Sequence, residues 1–167
     1  MATKPEVWLR GAIEGFPAPL QPVAHSLLQC REEVTALLPS IATGQLFARP
    51  GGAASIGYHV RHAIGSLDRL LTYARGESLS PEQMVALKAE GETDPAPDAA
   101  AKLVAAFDEA VEKALSQLRA TDERSLLDAR SVGRAQLPTT VIGLLFHAAE
   151  HTQRHMGQMV TTMKVTG

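Results

Sequence analysis

Apolar residues recur every three or four positions along four separate stretches of the chain, the spacing that lines one face of an α-helix. After Pro22, the residues Val23, Leu27, Cys30, Val34, Leu37, Leu38 and Ile41 form the first stripe, with Pro39 and Gly44 marking its end region. A loop at 49–54 (RPGGAA) leads to Ser55, an N-cap residue, and to a second stripe of Ile56, Val60, Ala63, Leu67, Leu70, Leu71 and Ala74, with Gly76 as C-cap. The third stripe is Leu103, Val104, Phe107, Ala110, Val111, Ala114, Leu115 and Leu118. The fourth opens at Pro138-Thr139-Thr140 and carries Val141, Leu145, Ala148, Ala149, Met156, Met159, Val160 and Met163. Between the second and third stripes, Ser80-Pro81-Glu82-Gln83 reads as a capping box with proline at the first helical position, predicting a short helix that runs to Lys88 or Glu90.

No segment carries a β signal, and residues 121–137 are irregular. Four amphipathic helices bury four stripes most simply against one another, so the fold class is all-α, a four-helix bundle with a short extra helix between the second and third long helices. Residues 1–21, with Pro5, Pro17, Pro19, Gly11 and Gly15, read as an irregular N-terminal arm, held to the domain or to a partner by Trp8 and Phe16. A length of 167 residues fits a single domain over 1–167.

Composition narrows the functional classes. Hydrophobic residues at 45% and charged residues at 20% are globular values, and with aromatics at only 4% the core must be aliphatic. The net charge of −2 leaves no basic excess for a phosphate backbone, so nucleic acid is not an expected partner. No apolar run reaches the roughly 18 residues of a membrane span, and the N-terminus lacks the apolar centre of a secretory signal. The lone Cys30 has no partner for an internal disulfide, which together with those features gives a cytoplasmic expectation. Cys30 lies on the first stripe and reads as a packing residue rather than a reactive thiolate.

The chemistry concentrates in six histidines, at positions 25, 59, 62, 147, 151 and 155. Residues four apart are neighbours on a helix, and two imidazoles so placed can converge on one ion at about 2.1 Å. His147/His151 and His151/His155 both qualify, but the outer two stand about 12 Å apart along the axis and cannot share an ion easily. At 100° per residue the fourth stripe centres near Leu145, Thr152 and Met156; His155 lies on its flank, His151 a step further out and His147 near the far side. A metal inside or beside the bundle would therefore use His151 and His155, with His147 either a neighbour of the site or a surface group. On the second helix the same wheel puts His59 nearer the core than His62 and favours it, without deciding, as a third ligand. The His-Glu-x-x-His protease motif and the Glu-x-x-His motifs of di-iron bundles are absent. His25 falls opposite the first stripe and reads as a surface residue. Arg61, Asp68, Arg69 and Arg154 read as solvated or intrahelically paired charges, with an arginine beside the site as an alternative anchor for an anionic substrate. Tyr58 and Tyr73 could bring a hydroxyl near the site.

The segment Ser55-Ile56-Gly57-Tyr58-His59-Val60-Arg61-His62, followed near the C-terminus by His151-Thr152-Gln153-Arg154-His155-Met156-Gly157-Gln158, resembles the DinB-like (DinB/YfiT) superfamily over most of the chain. The resemblance implies a four-helix bundle holding a divalent metal, zinc or nickel, on three histidines, one from the second helix and two from the fourth. Matched residue by residue, the ligands are His62, His151 and His155, which places His59, His147, Tyr58 and Arg154 as pocket residues around them. It also implies a homodimer acting on a small molecule, a transferase of the thiol S-transferase type or a hydrolase, with a low-molecular-weight thiol as a possible co-substrate. Three neutral ligands leave coordination positions for water or substrate, which suits catalysis. The alternative expectation is a non-catalytic dimeric bundle whose metal site is vestigial or structural.

Overall fold

The computed structural model describes residues 4–167, so residues 1–3 of the expected arm lie outside it. Six helices follow in chain order: α1 (Gln21–Leu37), α2 (Thr43–Leu46), α3 (Ile56–Ala74), α4 (Pro81–Ala89), α5 (Ala99–Ala120) and α6 (Val141–Thr166). The four long ones, α1, α3, α5 and α6, form the bundle, and the short α4 lies between α3 and α5 in sequence, as the pattern predicts. The four stripes meet in one aliphatic core, with Leu27, Cys30, Ile56, Val60, Leu67, Phe107, Val111, Leu115, Leu145 and Met156 essentially inaccessible to solvent. Burial pushes the Cys30 thiol well above its ordinary pKa, in keeping with a packing role.

The helix starts are built as their caps require. Ser55 Oγ accepts the Tyr58 amide at 3.2 Å and Thr140 Oγ1 accepts that of Gly143 at 3.1 Å. Ser80 and Gln83 make the reciprocal capping box of α4. The first amides of α6 would otherwise be orphaned; Val141 and Ile142 donate instead to the carbonyls of Asp128 and Leu126. Gly57 lets α2 approach the first turn of α3, since a Cβ there would stand 2.6 Å from the Phe47 ring.

Three expectations are corrected. First, residues Ala129–Val132 and Leu137–Thr140 pair as an antiparallel hairpin, β1 and β2, with Ala129 opposite Thr140 and Val132 opposite Leu137. Neither Ala-Arg-Ser-Val nor Leu-Pro-Thr-Thr alternates apolar and polar residues, so the periodicity carries no strand signal; a two-stranded ribbon is all edge and tolerates Pro138. The hairpin takes Pro138 and Thr139 out of the predicted helix start, and α6 begins at Val141. Second, α1 stops at Leu37; Leu38 and Ile41 are buried, but from the following 3₁₀ turn and loop. Third, of the two arm residues expected to pack, Phe16 seats on the domain with its ring buried under Arg119, whereas Trp8 is 61% exposed and does not pack on the domain; its chain neighbour Val7 is buried instead. His25 contributes on the arm side through a ring nitrogen 2.9 Å from the Gly11 carbonyl. Among the described residues no helix is long and apolar enough to cross a membrane.

Candidate metal centre

The pairing of α3 with α6 is the most extensive in the bundle, and five of the six histidines lie along it. On α3, His59 points inward and is 6% exposed, whereas His62, three residues on, sits at the flank with a side chain 20% exposed. On α6 the rotation of 100° per residue spreads the three histidines from inside to outside: His155 is 9% exposed, His151 is half-buried, and the His147 side chain is 48% exposed.

His62, His151 and His155 form the cluster. Each offers one ring nitrogen, and the three nitrogens lie within 4.8 Å of one another. His62 Nε2 faces His151 Nε2 at 2.9 Å, and the His155 ring centroid stands 4.5 Å from that of His62 and 4.6 Å from that of His151. His59 meets the cluster from below, its Nδ1 3.1 Å from His155 Nδ1. The other pocket residues take separate places. Tyr58 stacks on His62 with ring planes 11° apart and centroids 5.5 Å apart. His147 Nδ1 lies 2.7 Å from Glu150 Oε1, and both oxygens of the same carboxylate bind Arg154. His147 and Arg154 are thus tied to Glu150 on the outer face, although the His147 ring reaches within 5.3 Å of His151.

One residue of this site carries no signal of its own in the sequence. Glu90, just beyond the end of α4, is 6% exposed and reaches across to α3, its Oε2 2.7 Å from His62 Nδ1 and its Oε1 2.7 Å from Arg69 Nη1. Its contacts are long-range, so no helical spacing connects it to the histidines; only the capping box, which fixes where α4 runs, points toward its position. Arg69 is corrected with it: in place of a solvated or intrahelically paired charge it is half-buried, 11% exposed at the side chain, and paired with Glu90 from beyond α4. Arg61 lies over the Phe47 ring and donates to the Glu92 carbonyl, and Asp68 accepts from Gln83. Tyr73 packs against the core.

The electrostatics favour uncharged imidazoles. Burial, aided by the charge of His62, holds His59 below the usual histidine range. Burial again lowers His151, with His62, His147 and Arg154 acting in the same direction and Glu150 against them. His155 is brought down to about 4, chiefly by burial and then by its histidine neighbours. Burial alone would raise Glu90, but hydrogen bonds from His62 and Arg69 outweigh it and hold the carboxyl below its ordinary pKa. At neutral pH the lowered histidines present lone pairs, the form that ligates a metal.

The donor set fits a borderline divalent ion. Two nitrogens each about 2.1 Å from one ion stand about 3.0 Å apart at a right angle and about 3.4 Å apart at a tetrahedral angle; the 2.9 Å separation of His62 Nε2 and His151 Nε2 suits a hydrogen bond and is also compatible with two ligands at a right angle. His62 also carries the carboxylate on its far nitrogen that metal-bound histidines commonly have. His151 Nδ1 is buried without a hydrogen-bond partner. Imidazole nitrogens suit zinc and nickel, among other metals.

Comparison with known proteins agrees with this architecture. A crystal structure of a DinB-like protein from Bacillus cereus ATCC 10987 superposes with a TM-score of 0.62 at 15% sequence identity, covering 85% of this chain and 89% of that one, a likeness of fold. No curated protein matches the chain in sequence. The sequence profile of the DinB superfamily matches residues 26–159, which span all of α2 to α5, most of α1 and α6 and every histidine but His25. The chain therefore belongs to the DinB superfamily.

Proposed function

We propose that this protein binds one divalent metal ion, zinc or nickel, on His62, His151 and His155, and uses it as a transferase or hydrolase acting on a small molecule. The observation that carries the reading is the approach of His62 Nε2 and His151 Nε2 to 2.9 Å, with the opposite nitrogen of His62 already committed to Glu90. Two Nε2 atoms in that position either share a single proton or share a cation, and three converging imidazoles favour the cation.

When bound, such an ion lowers the pKa of a water or thiol beside it and polarises a substrate oxygen. The chain's own groups do the rest. Glu90 lies against His62 Nδ1, on the ring edge away from His151. His59 shares a proton between its Nδ1 and that of His155, which fixes the His155 ring. Tyr58 covers one face of His62 and restricts solvent there. Three neutral ligands leave room for a substrate, and since burial makes Cys30 inert, a reacting thiol would enter as a small molecule.

The test uses untagged protein, metal analysis and titration with zinc and nickel. One equivalent per chain is expected, lost on His62→Ala, His151→Ala or His155→Ala and retained on His147→Ala. Absence of binding, or full retention in His62→Ala, would overturn the assignment. Metal-loaded protein with no affinity for low-molecular-weight thiols and no turnover of transferase or hydrolase substrates would favour the non-catalytic bundle.

A further inference from the structure

The buried carboxylate of Glu90 is out of character for its element. α4 contributes no buried residue of its own, yet the residue that follows it is 6% exposed. Desolvating a carboxylate is costly unless both oxygens are engaged. Here they are, one by Arg69 Nη1 and the other by His62 Nδ1, each at 2.7 Å. The surroundings are shaped for that pair. Gly65 lies on α3 between His62 and Arg69, and a Cβ there would stand 2.5 Å from Glu90 Oε1 and 2.6 Å from Arg69 Nη1. The other end of α4 is tied down by Gln83, whose amide donates to Asp68 and Thr72 of α3.

We propose that Arg69 and Glu90 are positioning residues that set the tautomer of His62, placing its proton on Nδ1 and its lone pair on Nε2 toward His151, and that Gly65 is the gap admitting them. This rests on reading the three-histidine cluster as a metal site. Arginine only donates, so whatever stands at position 90 must turn an acceptor toward Arg69. A carboxylate has a second acceptor left for His62, and a neutral imidazole that donates from Nδ1 keeps Nε2 bare. A carboxamide has one oxygen. Turned toward Arg69, it presents its NH₂ to His62 Nδ1, which must then accept, and the imidazole proton moves to Nε2, where the lone pair is needed. Glu90→Gln is thus expected to invert the tautomer, although it preserves shape. Removing Arg69 as well frees the amide oxygen to turn to His62 and restores the original tautomer.

The test reads the tautomer directly. Long-range ¹H–¹⁵N NMR of the metal-free protein at about pH 8 reports which His62 nitrogen carries the proton, and chelator competition gives the zinc affinity, following the behaviour of histidines held by outer carboxylates. Wild type is expected to be protonated at Nδ1. Glu90→Gln should be protonated at Nε2 and bind zinc about 10- to 100-fold more weakly. The double variant Glu90→Gln/Arg69→Met should return to Nδ1 protonation and recover most of that affinity, a rescue that a purely structural ion pair would not give. Gly65→Ala, which keeps both charged residues but crowds them, should show mixed tautomers and weakened zinc binding even if Glu90→Gln does not fold. Nδ1 protonation and unchanged affinity in Glu90→Gln or in Gly65→Ala, or a double variant as weak as Glu90→Gln, would overturn the proposal. Wild type that binds no zinc but still switches tautomer in Glu90→Gln would refute the metal reading and leave the positioning role standing.

Discussion

Acidification should destabilise the metal-free protein in a window set by its histidines. His155 is 9% exposed, and burial together with His62, His151 and His59 brings its pKa down to about 4. In the unfolded chain the same imidazole titrates near 6.5. Below that value the unfolded state takes up a proton that the folded state excludes, so unfolding is favoured. The sign follows: the stability tied to this group is fully present above the unfolded pKa and is lost as pH falls toward the folded one. One-site linkage gives a loss of about 1.4 kcal/mol between about pH 7.5 and about pH 5.5, and a limit of about 3 kcal/mol below pH ~4. His59 and His151 are shifted in the same direction and add to it. Glu90 and Glu150, held below the usual carboxylate range, stay ionised through this window and do not obscure it. The assay is urea unfolding of chelator-treated protein, followed by far-ultraviolet circular dichroism at the two pH values, for wild type and His155→Gln. Wild type should lose at least about 1 kcal/mol, and His155→Gln distinctly less. A stability that is flat or rises on acidification, or an equal loss in the variant, would refute the reasoning.

The core and caps give further expectations. Phe107→Ala, at a position 1% exposed, should cost about 3–5 kcal/mol in chemical denaturation, whereas Trp8→Ala, at 61% exposure, should stay within about 0.5 kcal/mol. Ser55→Ala and Thr140→Ala each remove an observed cap hydrogen bond and should each lower stability by about 1 kcal/mol. Thr140→Ala frees the N-terminus of α6 near the hairpin, so faster amide exchange at Gly143 should accompany it.

The histidines show how far local spacing carries. On α6 the order from inside to outside, His155, His151, His147, follows from rotation about one axis, and the wheel gives it correctly because the stripe residues Leu145, Thr152 and Met156 mark the buried direction. On α3 the same wheel places His59 nearer the core, which it is, but inward position is not convergence. His59 meets His155, while His62 meets His151, because the crossing of two helices determines which flanks touch. The family pattern leads to His62 where the wheel does not. Glu90 and Arg69 show the opposite limit. Arg69 reads as a solvated or intrahelically paired charge and Glu90 only as the end of a short helix; their pairing depends on where α4 comes to rest.

The sequence by itself determined four amphipathic helices, the short helix with its capping box, the helix starts at Ser55 and near Thr140, and the two histidines one turn apart that mark the site. All of these are local, decided within a few residues by helical periodicity and hydrogen bonding to neighbouring amides. Tertiary structure decided which α3 histidine faces His151, that a carboxylate from beyond α4 would hold it, that Phe16 rather than Trp8 would seat the arm, and that residues 129–140 would pair as a hairpin. Those outcomes depend on contacts between segments distant in sequence, whose geometry exists only once the helices have packed.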